Sequence, residues 1–595
     1  MTDEPDRRNL RILLLCHSFN SLSQRLHAEL RALGHTLSVE LDISDAVTGE
    51  AVALWQPDLL IAPFLKRRIP DAVWRAVPCF IVHPGPPGDR GPAALDWAVL
   101  EGAARWGVTV LQADGEFDAG PVLAASFFEP RAVSKGALYR AEVTEAAVEA
   151  TLLAVARFAG GEAPPAGLSG EDRWRGAMPQ SARRIDWAHD GTATVLAKIR
   201  SADGQPGVAD ELFGQPCHLF DAHPAGAAAL HGLPGAPGDV VARRDDALLR
   251  RTVDGGVWIG HVRSAHACGD QPPFKLPAAL AFAAQAAALP ERALPLLQGS
   301  GEPPADDDEE WAELRYVETG EPGARVGALS FDFYNGAMST AQCERLRDAL
   351  RRVKQRDTQV LLLLGGEGFF SNGIHLNCIE AAAHRDGDSA ADESWRNINA
   401  MNDVALEIIT CTDRLTVSVL RGNAGAGGAF LALAADEVWA HRGVMLNPHY
   451  KNMGNLHGSE YWSYLLPRRL GADAARALMQ RRQPVSAREA LRIGLIDQCA
   501  GCGTRDFTAA ALRQAGERAA SYNLRERLMR KQQARAADEA VRPLADYRKE
   551  ELSRMHRNFY GFDASYHVAR YHFVHKLAHA WTPRHLAVHR EAAGR

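Results

Sequence analysis

The first third of the chain alternates short apolar runs with amphipathic stretches. Residues 10–16, 58–64 and 79–83 are apolar runs of strand length, and residues 21–33 place leucines on one helical face before Gly34. Leucines that recur every three or four positions indicate a helix packed on one side, and glycine commonly ends such a helix. This alternation predicts a parallel sheet with helices on both faces, whose ligands bind at the carboxyl ends of the strands.

The pattern changes twice further along the chain. Residues 183–263 contain short apolar runs between Gly/Pro turns, which predict a small β-rich module. A second α/β pattern begins at Ala324, and a basic, helical pattern follows it. We therefore predict an α/β multidomain protein. Its regions are a Rossmann-like domain (1–170), a small β-rich, OB-like domain (180–270), a linker (271–318), a second α/β domain (319–510) and a C-terminal helical region (511–595).

The composition is that of an ordinary globular protein. The 595 residues carry a net charge of −6 and are 46% hydrophobic, which argues against a nucleic-acid or membrane-surface partner. The acidic start and the short apolar run at 12–16 do not fit a secretion signal, and no window approaches the roughly 18 apolar residues of a membrane span. Nine scattered cysteines fit reduced thiols, and the pair Cys499 and Cys502 has no second pair with which to bind zinc. We therefore expect a cytoplasmic protein without a metal site.

Two polar residues of the first domain follow predicted strands. His83 lies where the strand at 79–83 gives way to a Gly/Pro loop, and Asp118 follows another apolar run in an Asp-x-Gly sequence. A histidine and an aspartate at neighbouring strand ends can form a pair in which the carboxylate orients a general base. The pair by itself fits a structural role as well as a catalytic one.

This region resembles the family of enzymes that use 10-formyltetrahydrofolate as formyl donor. The resemblance implies that His83 polarises the formyl group and that Asp118 orients it or carries protons. It also implies that the loop after His83 binds the folate. The loop residues concerned are Gly85, Pro86, Arg90 and Gly91. The motifs that match the family's N-terminal domain are at residues 34–35, 83–91, 107–109 and 118–120. Those that match its C-terminal domain are at residues 185–187, 199–200 and 206–207.

One position departs from the family pattern. The family usually has Asn-x-His at the strand end, and Ile81 occupies the asparagine position here. The amide that would hydrogen-bond the formyl oxygen is missing, which disfavours transfer to a weakly acidic amine. A thiol acceptor is easier, because a thiol pKa of about 8.5 allows ionisation with little help.

Glycine-rich turns in the second α/β domain indicate a different chemistry. Residues 369–377 follow a predicted strand and residues 421–436 open a predicted helix, so both can present backbone N–H groups to a developing oxyanion. Together with residues 484–497 they resemble the crotonase, or enoyl-CoA hydratase, superfamily. The resemblance implies a crotonase fold that binds coenzyme A (CoA) thioesters. It places the oxyanion N–H groups and the neighbouring CoA-binding residues at Ile374, Gly427, Ser371 and Gly373.

The hydratase chemistry does not carry over to this chain. The two glutamates that activate water in hydratases fall on Phe430 and His449, so the acid and base that hydration requires are missing. The segment at 446–462 lines the acyl pocket in this superfamily. It supplies three candidates for proton transfer, His449, Tyr450 and Glu460.

The whole chain resembles the HypX/HoxX family of hydrogenase maturation proteins. That resemblance implies synthesis of carbon monoxide for the iron centre of nickel–iron hydrogenase, from 10-formyltetrahydrofolate and CoA by way of formyl-CoA. Hydrogenase maturation factors or the hydrogenase large-subunit precursor are the implied partners. Candidates to anchor the CoA phosphates are Gln205, Arg570 and Lys576.

Two other functions remain open at this point. One is a formyltransferase acting on an amine, with a crotonase-like partner domain. The other is a maturation scaffold that binds folate or CoA without catalysis.

Overall fold

The computed structural model describes residues 8–165, 168, 170–265, 272–297, 310–501 and 503–592. Residues 271 and 298–309 of the predicted linker at 271–318, and Cys502 of the cysteine pair, lie outside the described residues.

The first domain is built on a six-stranded sheet with helices on both faces. Its elements are β1 (Arg11–Cys16), α1 (Ser21–Ala32), β2 (Thr36–Leu41), α2 (Asp45–Trp55), β3 (Leu59–Phe64), α3 (Asp71–Trp74), β4 (Cys79–His83), β5 (Asp89–Arg90), α4 (Ala94–Leu100), β6 (Trp106–Gln112), β7 (Val122–Phe128), α5 (Lys135–Leu138), α6 (Thr144–Ala159) and β8 (Arg173–Trp174). The sheet order is β2-β1-β3-β4-β6-β7, and β5 pairs with β8. Alternate residues of β1 enter two cores, one beneath α1 and α6 and one beneath α2 and α3.

The expected all-parallel sheet is wrong for its last two strands. β1 to β4 pair in parallel, but β6 is antiparallel to both β4 and β7. Nine residues without a helix join β6 to β7, which is too short for the crossover that a parallel pair needs. The antiparallel pairing sets His83 opposite Thr109 at the sheet edge that carries the predicted site.

The second domain is an antiparallel sheet. Its elements are α7 (Thr192–Ala202), β9 (Val208–Leu212), β10 (Gln215–Pro224), α8 (Ala227–Leu230), β11 (Val240–Arg244), β12 (Ala247–Arg251), β13 (Gly256–Ser264), β14 (Lys275–Pro277), α9 (Ala278–Ala281) and α10 (Ala283–Ala287). The order is β11-β12-β13-β10-β9, and β14 also pairs with β13. β14, α9 and α10 lie within the stretch predicted as a linker, so that part of it is structured.

The third domain has one large sheet, one smaller sheet and a separate two-stranded pair. Its elements are β15 (Leu314–Thr319), β16 (Val326–Phe331), β17 (Ala337–Met338), α11 (Thr340–Val353), β18 (Val360–Leu364), β19 (Phe369–Ser371), β20 (Gly373–Ile374), α12 (Leu376–Ala382), α13 (Ala390–Ile409), β21 (Leu415–Leu420), β22 (Asn423–Gly425), α14 (Gly427–Leu433), β23 (Glu437–His441), β24 (Met445–Asn447), α15 (Trp462–Leu470), α16 (Ala472–Arg481), β25 (Val485–Ser486), α17 (Ala487–Arg492) and β26 (Gln498–Ala500). The larger sheet runs β15-β16-β18-β21-β23-β26, the smaller runs β19-β22-β24-β25, and the two-stranded pair is β17-β20. Each glycine-rich turn lies where the chain passes through the smaller sheet.

The C-terminal region is helical and returns to the first domain. Its helices are α18 (Thr504–Ala519), α19 (Leu524–Val541), α20 (Leu544–Tyr560), α21 (Ser565–Val574) and α22 (Val588–Ala592). The amide of Val39 in β2 donates to Leu586 O at 3.0 Å, and the Ser38 hydroxyl lies 2.6 Å from Nδ1 of His589. The two ends of the chain are thereby joined. No helix among the described residues is long and apolar enough to cross a membrane.

Two candidate active sites

The first candidate site is centred on His83, the last residue of β4. Its buried imidazole lies between two carboxylates: Nε2 is 2.9 Å from Asp89 Oδ1, and Nδ1 is 3.5 Å from Asp118 Oδ2. The structure therefore brings together the predicted pair of His83 and Asp118. It adds Asp89, which the sequence analysis missed although this acid stands directly before the predicted Arg90. A ring with a carboxylate at each nitrogen can hold a proton at both positions.

Backbone geometry fixes this arrangement. Asp118 has a left-handed φ of 53°, and its Oδ2 accepts a hydrogen bond from the Gly91 amide at 3.1 Å. A Cβ on Gly85 would lie 2.4 Å from Asp89 Oδ1 and 2.6 Å from His83 Nε2, so only glycine leaves room for the contact between the two side chains.

The other predicted folate-binding residues surround the same loop. The Asp89 amide donates to Pro86 O at 3.0 Å, which closes the turn. Arg90 is ion-paired with Glu116 and Asp172 at 3.1 and 3.2 Å, and both partners are largely exposed. Arg90 therefore ties the loop to its neighbours, while its contact with folate stays a prediction.

The second candidate site lies where the two glycine-rich turns meet. Gly373 has a φ of 85°, and a Cβ at this position would lie 3.3 Å from the amide nitrogen of Gly427, the first residue of α14. Ser371 helps to shape the first turn, because its Oγ accepts a hydrogen bond from the Gly373 amide at 3.1 Å. The turns that carry Ile374 and Gly427 are thus adjacent, as an oxyanion hole made of two backbone N–H groups requires.

A buried tyrosine–glutamate pair adjoins these turns. The Tyr450 hydroxyl lies within hydrogen-bond distance of Glu460 Oε2 and is 2.9 Å from Ser459 O. Glu460 Oε1 would be 2.8 Å from a Cβ on Gly427, so the carboxyl group lies directly beside the predicted oxyanion hole. Burial raises the pKa of Glu460 to about 7, although the hydrogen bond from Tyr450 lowers it in part. Burial, together with the Glu460 charge, raises the pKa of Tyr450 well above its ordinary value.

Phe430 packs against Tyr450, and His449 precedes Tyr450 in the chain. Phe430 stacks on Tyr450 with ring centroids 5.3 Å apart. Both ring nitrogens of His449 are buried without a hydrogen-bond partner among the described residues, and burial lowers its pKa to about 4. His449 is therefore a neutral imidazole that a bound substrate could contact.

Two cations contact the third domain, Arg140 from the first domain and Lys275 from the second. Nε of Arg140 is buried and has no hydrogen-bond partner among the described residues, while the charges of Asp203 and Asp332 act on this side chain from a distance. Its guanidinium lies 4.8 Å from the ring centre of Phe369, and burial lowers its pKa. Lys275 donates to the Tyr334 hydroxyl at 3.0 Å, and burial lowers its pKa to about 8 despite the charge of Asp203. The sequence analysis missed Arg140. No sequence pattern singles it out, since Glu142, Glu145 and Arg157 are also charged in the same helical stretch.

The three predicted phosphate anchors have different surroundings. Arg570 donates through Nε to the buried Glu380 at 2.8 Å, so its charge is already neutralised. Lys576 is exposed, and its Nζ lies 4.1 Å from the ring centre of Phe573. The Gln205 carbonyl oxygen accepts from Lys135 at 2.8 Å, which leaves the amide side chain uncommitted in this contact.

Known proteins resemble this chain over its full described length. It is 56% identical over 584 residues to the hydrogenase maturation factor HoxX of Bradyrhizobium diazoefficiens, covering 98% of this chain and 97% of that protein. The chain belongs to the HypX/HoxX family of hydrogenase maturation factors. The crystal structure of HypX from Aquifex aeolicus in complex with tetrahydrofolic acid superposes with a TM-score of 0.91 at 44% identity, over 98% of this chain and 99% of that one.

The parts of this HypX/HoxX chain match separate enzyme families. Family models for formyl transferase, the formyl transferase C-terminal domain and enoyl-CoA hydratase/isomerase match residues 40–140, 178–267 and 333–584. Methionyl-tRNA formyltransferase of Syntrophus aciditrophicus is 26% identical over 227 residues, covering 37% of this chain and 70% of that protein. The predicted fold class, a formyltransferase-like front joined to a crotonase-like back, is confirmed.

Proposed function

We propose that this protein makes carbon monoxide for the iron centre of nickel–iron hydrogenase in two steps. The first site transfers formyl from 10-formyltetrahydrofolate to the thiol of CoA, and the second splits formyl-CoA into carbon monoxide and CoA. The observation that carries this proposal is the Glu460 carboxyl beside Gly427, in a crotonase-type site that lacks the hydratase glutamates. The relatives' role in hydrogenase maturation supports the destination of the product.

In the first step His83 and Asp118 act on the formyl group. His83 polarises the formyl oxygen while the thiolate attacks the carbon. The carbon–nitrogen bond then breaks, and the proton from the thiol passes by way of His83 and Asp118 to the folate nitrogen. Asp89 holds the opposite edge of the imidazole and so keeps the ring from turning.

A thiol is the acceptor that suits this site. Ile81 is only partly buried at the strand end and offers no hydrogen bond, so the site lacks the amide expected for amine acceptors. Arg140 fits the anionic end of CoA, because its buried Nε has no hydrogen-bond partner among the described residues and an anionic oxygen would supply one. Lys275, Lys576 and Gln205 would complete the phosphate contacts, with Arg570 supporting them from its pair with Glu380.

In the second step Glu460 takes the formyl hydrogen as a proton. The amides of Ile374 and Gly427 hold the carbonyl oxygen, the carbon–hydrogen and carbon–sulfur bonds break, and carbon monoxide leaves. The proton on Glu460 returns to the departing thiolate, so no net proton is consumed. Tyr450 holds the carboxyl in place through its hydroxyl, and His449 borders the acyl group as a neutral hydrogen-bonding wall.

Maturation factors or the large-subunit precursor would receive the product. We place this protein in the cytoplasm with them, since carbon monoxide diffuses away unless an acceptor is near.

The test supplies purified protein with 10-formyltetrahydrofolate and CoA. Carbon monoxide is trapped with reduced haem while tetrahydrofolate release is followed in parallel. The His83→Ala variant is expected to lose both products, whereas Tyr450→Phe should lose carbon monoxide and still release tetrahydrofolate.

The outcomes separate this function from its rivals. Tetrahydrofolate release that requires CoA but never yields carbon monoxide would contradict the second step. Formyl transfer to amines in the absence of CoA would contradict the thiol acceptor. Binding of both substrates without any product would favour a scaffold.

A further inference from the structure

The proposed base stands on a strained turn. Glu460 and the next residue, Tyr461, both have a φ of 58°, a left-handed conformation that non-glycine residues seldom adopt, still less in succession. Gly458 precedes them with a φ of 93°, and a Cβ there would lie 2.1 Å from the Tyr450 ring. Strained residues of this kind persist only where the surrounding structure holds them.

One support comes from α13. The side-chain oxygen of Asn402 accepts two hydrogen bonds, from the Glu460 amide and from the Ser459 hydroxyl, both at 2.8 Å. Asn402 is fully buried, and its Nδ2 finds no acceptor among the described residues. A buried amide nitrogen without an acceptor destabilises the fold, so the two hydrogen bonds that the Asn402 oxygen accepts are the reason we infer for an asparagine at this position.

The other support comes from α20, far away in the sequence. Glu551 Oε2 accepts from the Tyr461 amide at 3.0 Å, and Oε1 accepts from the Ser463 amide at 2.8 Å and from the Ser463 hydroxyl. α15 has no side-chain cap of its own, so Glu551 satisfies the free amides at its start. The buried carboxyl group therefore fixes the exit of the turn, as Asn402 fixes its entry.

We propose that Asn402 and Glu551 are positioning residues that hold residues 459–463 so that the Glu460 carboxyl faces Gly427. The inference rests on the proposed function, because it concerns the group that takes the formyl proton. It makes the C-terminal helices a working part of the second site, since α20 supplies one of the two supports.

The experiment compares variants on both steps in the full-length protein. Formyl-CoA is supplied directly for the second step, and tetrahydrofolate release reports the first. In Asn402→Ala and Glu551→Gln, kcat for carbon monoxide should fall by about 100-fold, because a displacement near 1 Å has that effect, while KM and tetrahydrofolate release change little. Asn402→Asp keeps the accepting oxygen and should recover kcat to within about fivefold of wild type.

Asn399→Ala is the matched control. This asparagine lies one turn earlier on α13 and bonds to Trp395 O and to Arg548, which contacts the Tyr461 side chain, but it makes no hydrogen bond to the backbone of residues 459–463. Its kcat should equal that of wild type. A crystal structure of Asn402→Ala should show the Glu460 carboxyl displaced from Gly427.

Several results would overturn the inference. They are unchanged kcat in Asn402→Ala and Glu551→Gln, equal damage to tetrahydrofolate release, an Asn402→Asp variant as slow as Asn402→Ala, or a turn that stays in place in the crystal. Tetrahydrofolate release without carbon monoxide from wild type would instead overturn the proposed function and this inference with it.

Discussion

The two sites control protons in different ways. At the first, charge surrounds the reactive group: His83 lies between Asp89 and Asp118, and Asp118 remains 15% exposed. At the second, burial dominates, because Glu460 is 1% exposed and has Tyr450 as its side-chain hydrogen-bond partner.

The difference follows the chemistry proposed for each site. Formyl transfer moves a proton between two polar partners, which a buried histidine held between two carboxylates can do. A formyl thioester is open to hydrolysis, so the second site must exclude water and rely on a carboxyl whose pKa burial has raised. Each prediction below changes one site and leaves the other as its internal control.

The largest effect is expected from Glu460→Gln. The amide cannot take the formyl proton, so carbon monoxide formation should fall by about 1000-fold, within the range usual for a general base. Tetrahydrofolate release in single-turnover assays should stay near wild type, because the first site is untouched. Carbon monoxide at the wild-type rate would show that another group is the base.

The next effect separates the two carboxylates on His83. Asp118→Asn should slow tetrahydrofolate release by about 100-fold, because Asp118 faces the substrate side and carries protons. Asp89→Asn should slow it by only about tenfold, since an amide can still accept from the imidazole. Stopped-flow measurement of the folate spectrum gives both rates, with decarbonylation of supplied formyl-CoA as the control. A reversed order would move the catalytic role to Asp89.

The sequence predicted much of this pair and little of its surroundings. His83 and Asp118 follow strands, so their meeting at one sheet edge could be expected from chain pattern and motif. Asp89 reaches the ring only because Gly85 leaves space for it, and such a loop contact has no periodic signal. The antiparallel pairing of β6 could not be predicted, because an apolar run indicates a strand but not the direction in which it pairs.

The second site shows the same limit more strongly. The glycine-rich turns that carry Ile374 and Gly427 are local motifs, and Tyr450 and Glu460 lie within ten residues of each other. Asn402 and Glu551 come from 58 and 90 residues away along the chain. Helical periodicity predicts their helices but cannot tell which turn a buried polar residue will hold.

A smaller effect is expected at the interface that joins the sites. Arg140→Gln removes a cation whose buried Nε has no hydrogen-bond partner among the described residues, so KM for CoA should rise by about tenfold, as the loss of one charged hydrogen bond would give. The KM for 10-formyltetrahydrofolate should not change. Arg75→Gln is the control, because Arg75 is exposed and pairs only with Asp71 on the same short helix. Equal KM values for CoA in both variants would exclude Arg140 as an anchor.

The smallest effect is the pH dependence of the second site. Burial raises the pKa of Glu460 to about 7, so below pH 7 most molecules carry a protonated carboxyl that cannot accept the formyl hydrogen. Tyr450 keeps its proton throughout this range, because its pKa is raised as well. Decarbonylation of supplied formyl-CoA should therefore rise about tenfold from pH 6 to pH 8, as the ionised fraction of Glu460 does, while Glu551, whose pKa burial raises to about 8, ionises near the top of this range. The measurement is initial carbon monoxide production under saturating formyl-CoA, with the residual rate of Glu460→Gln as the control. A rate that is flat across this range, or one that falls, would mean that burial does not set the base at the second site, and the contrast with the charge-surrounded His83 would fail.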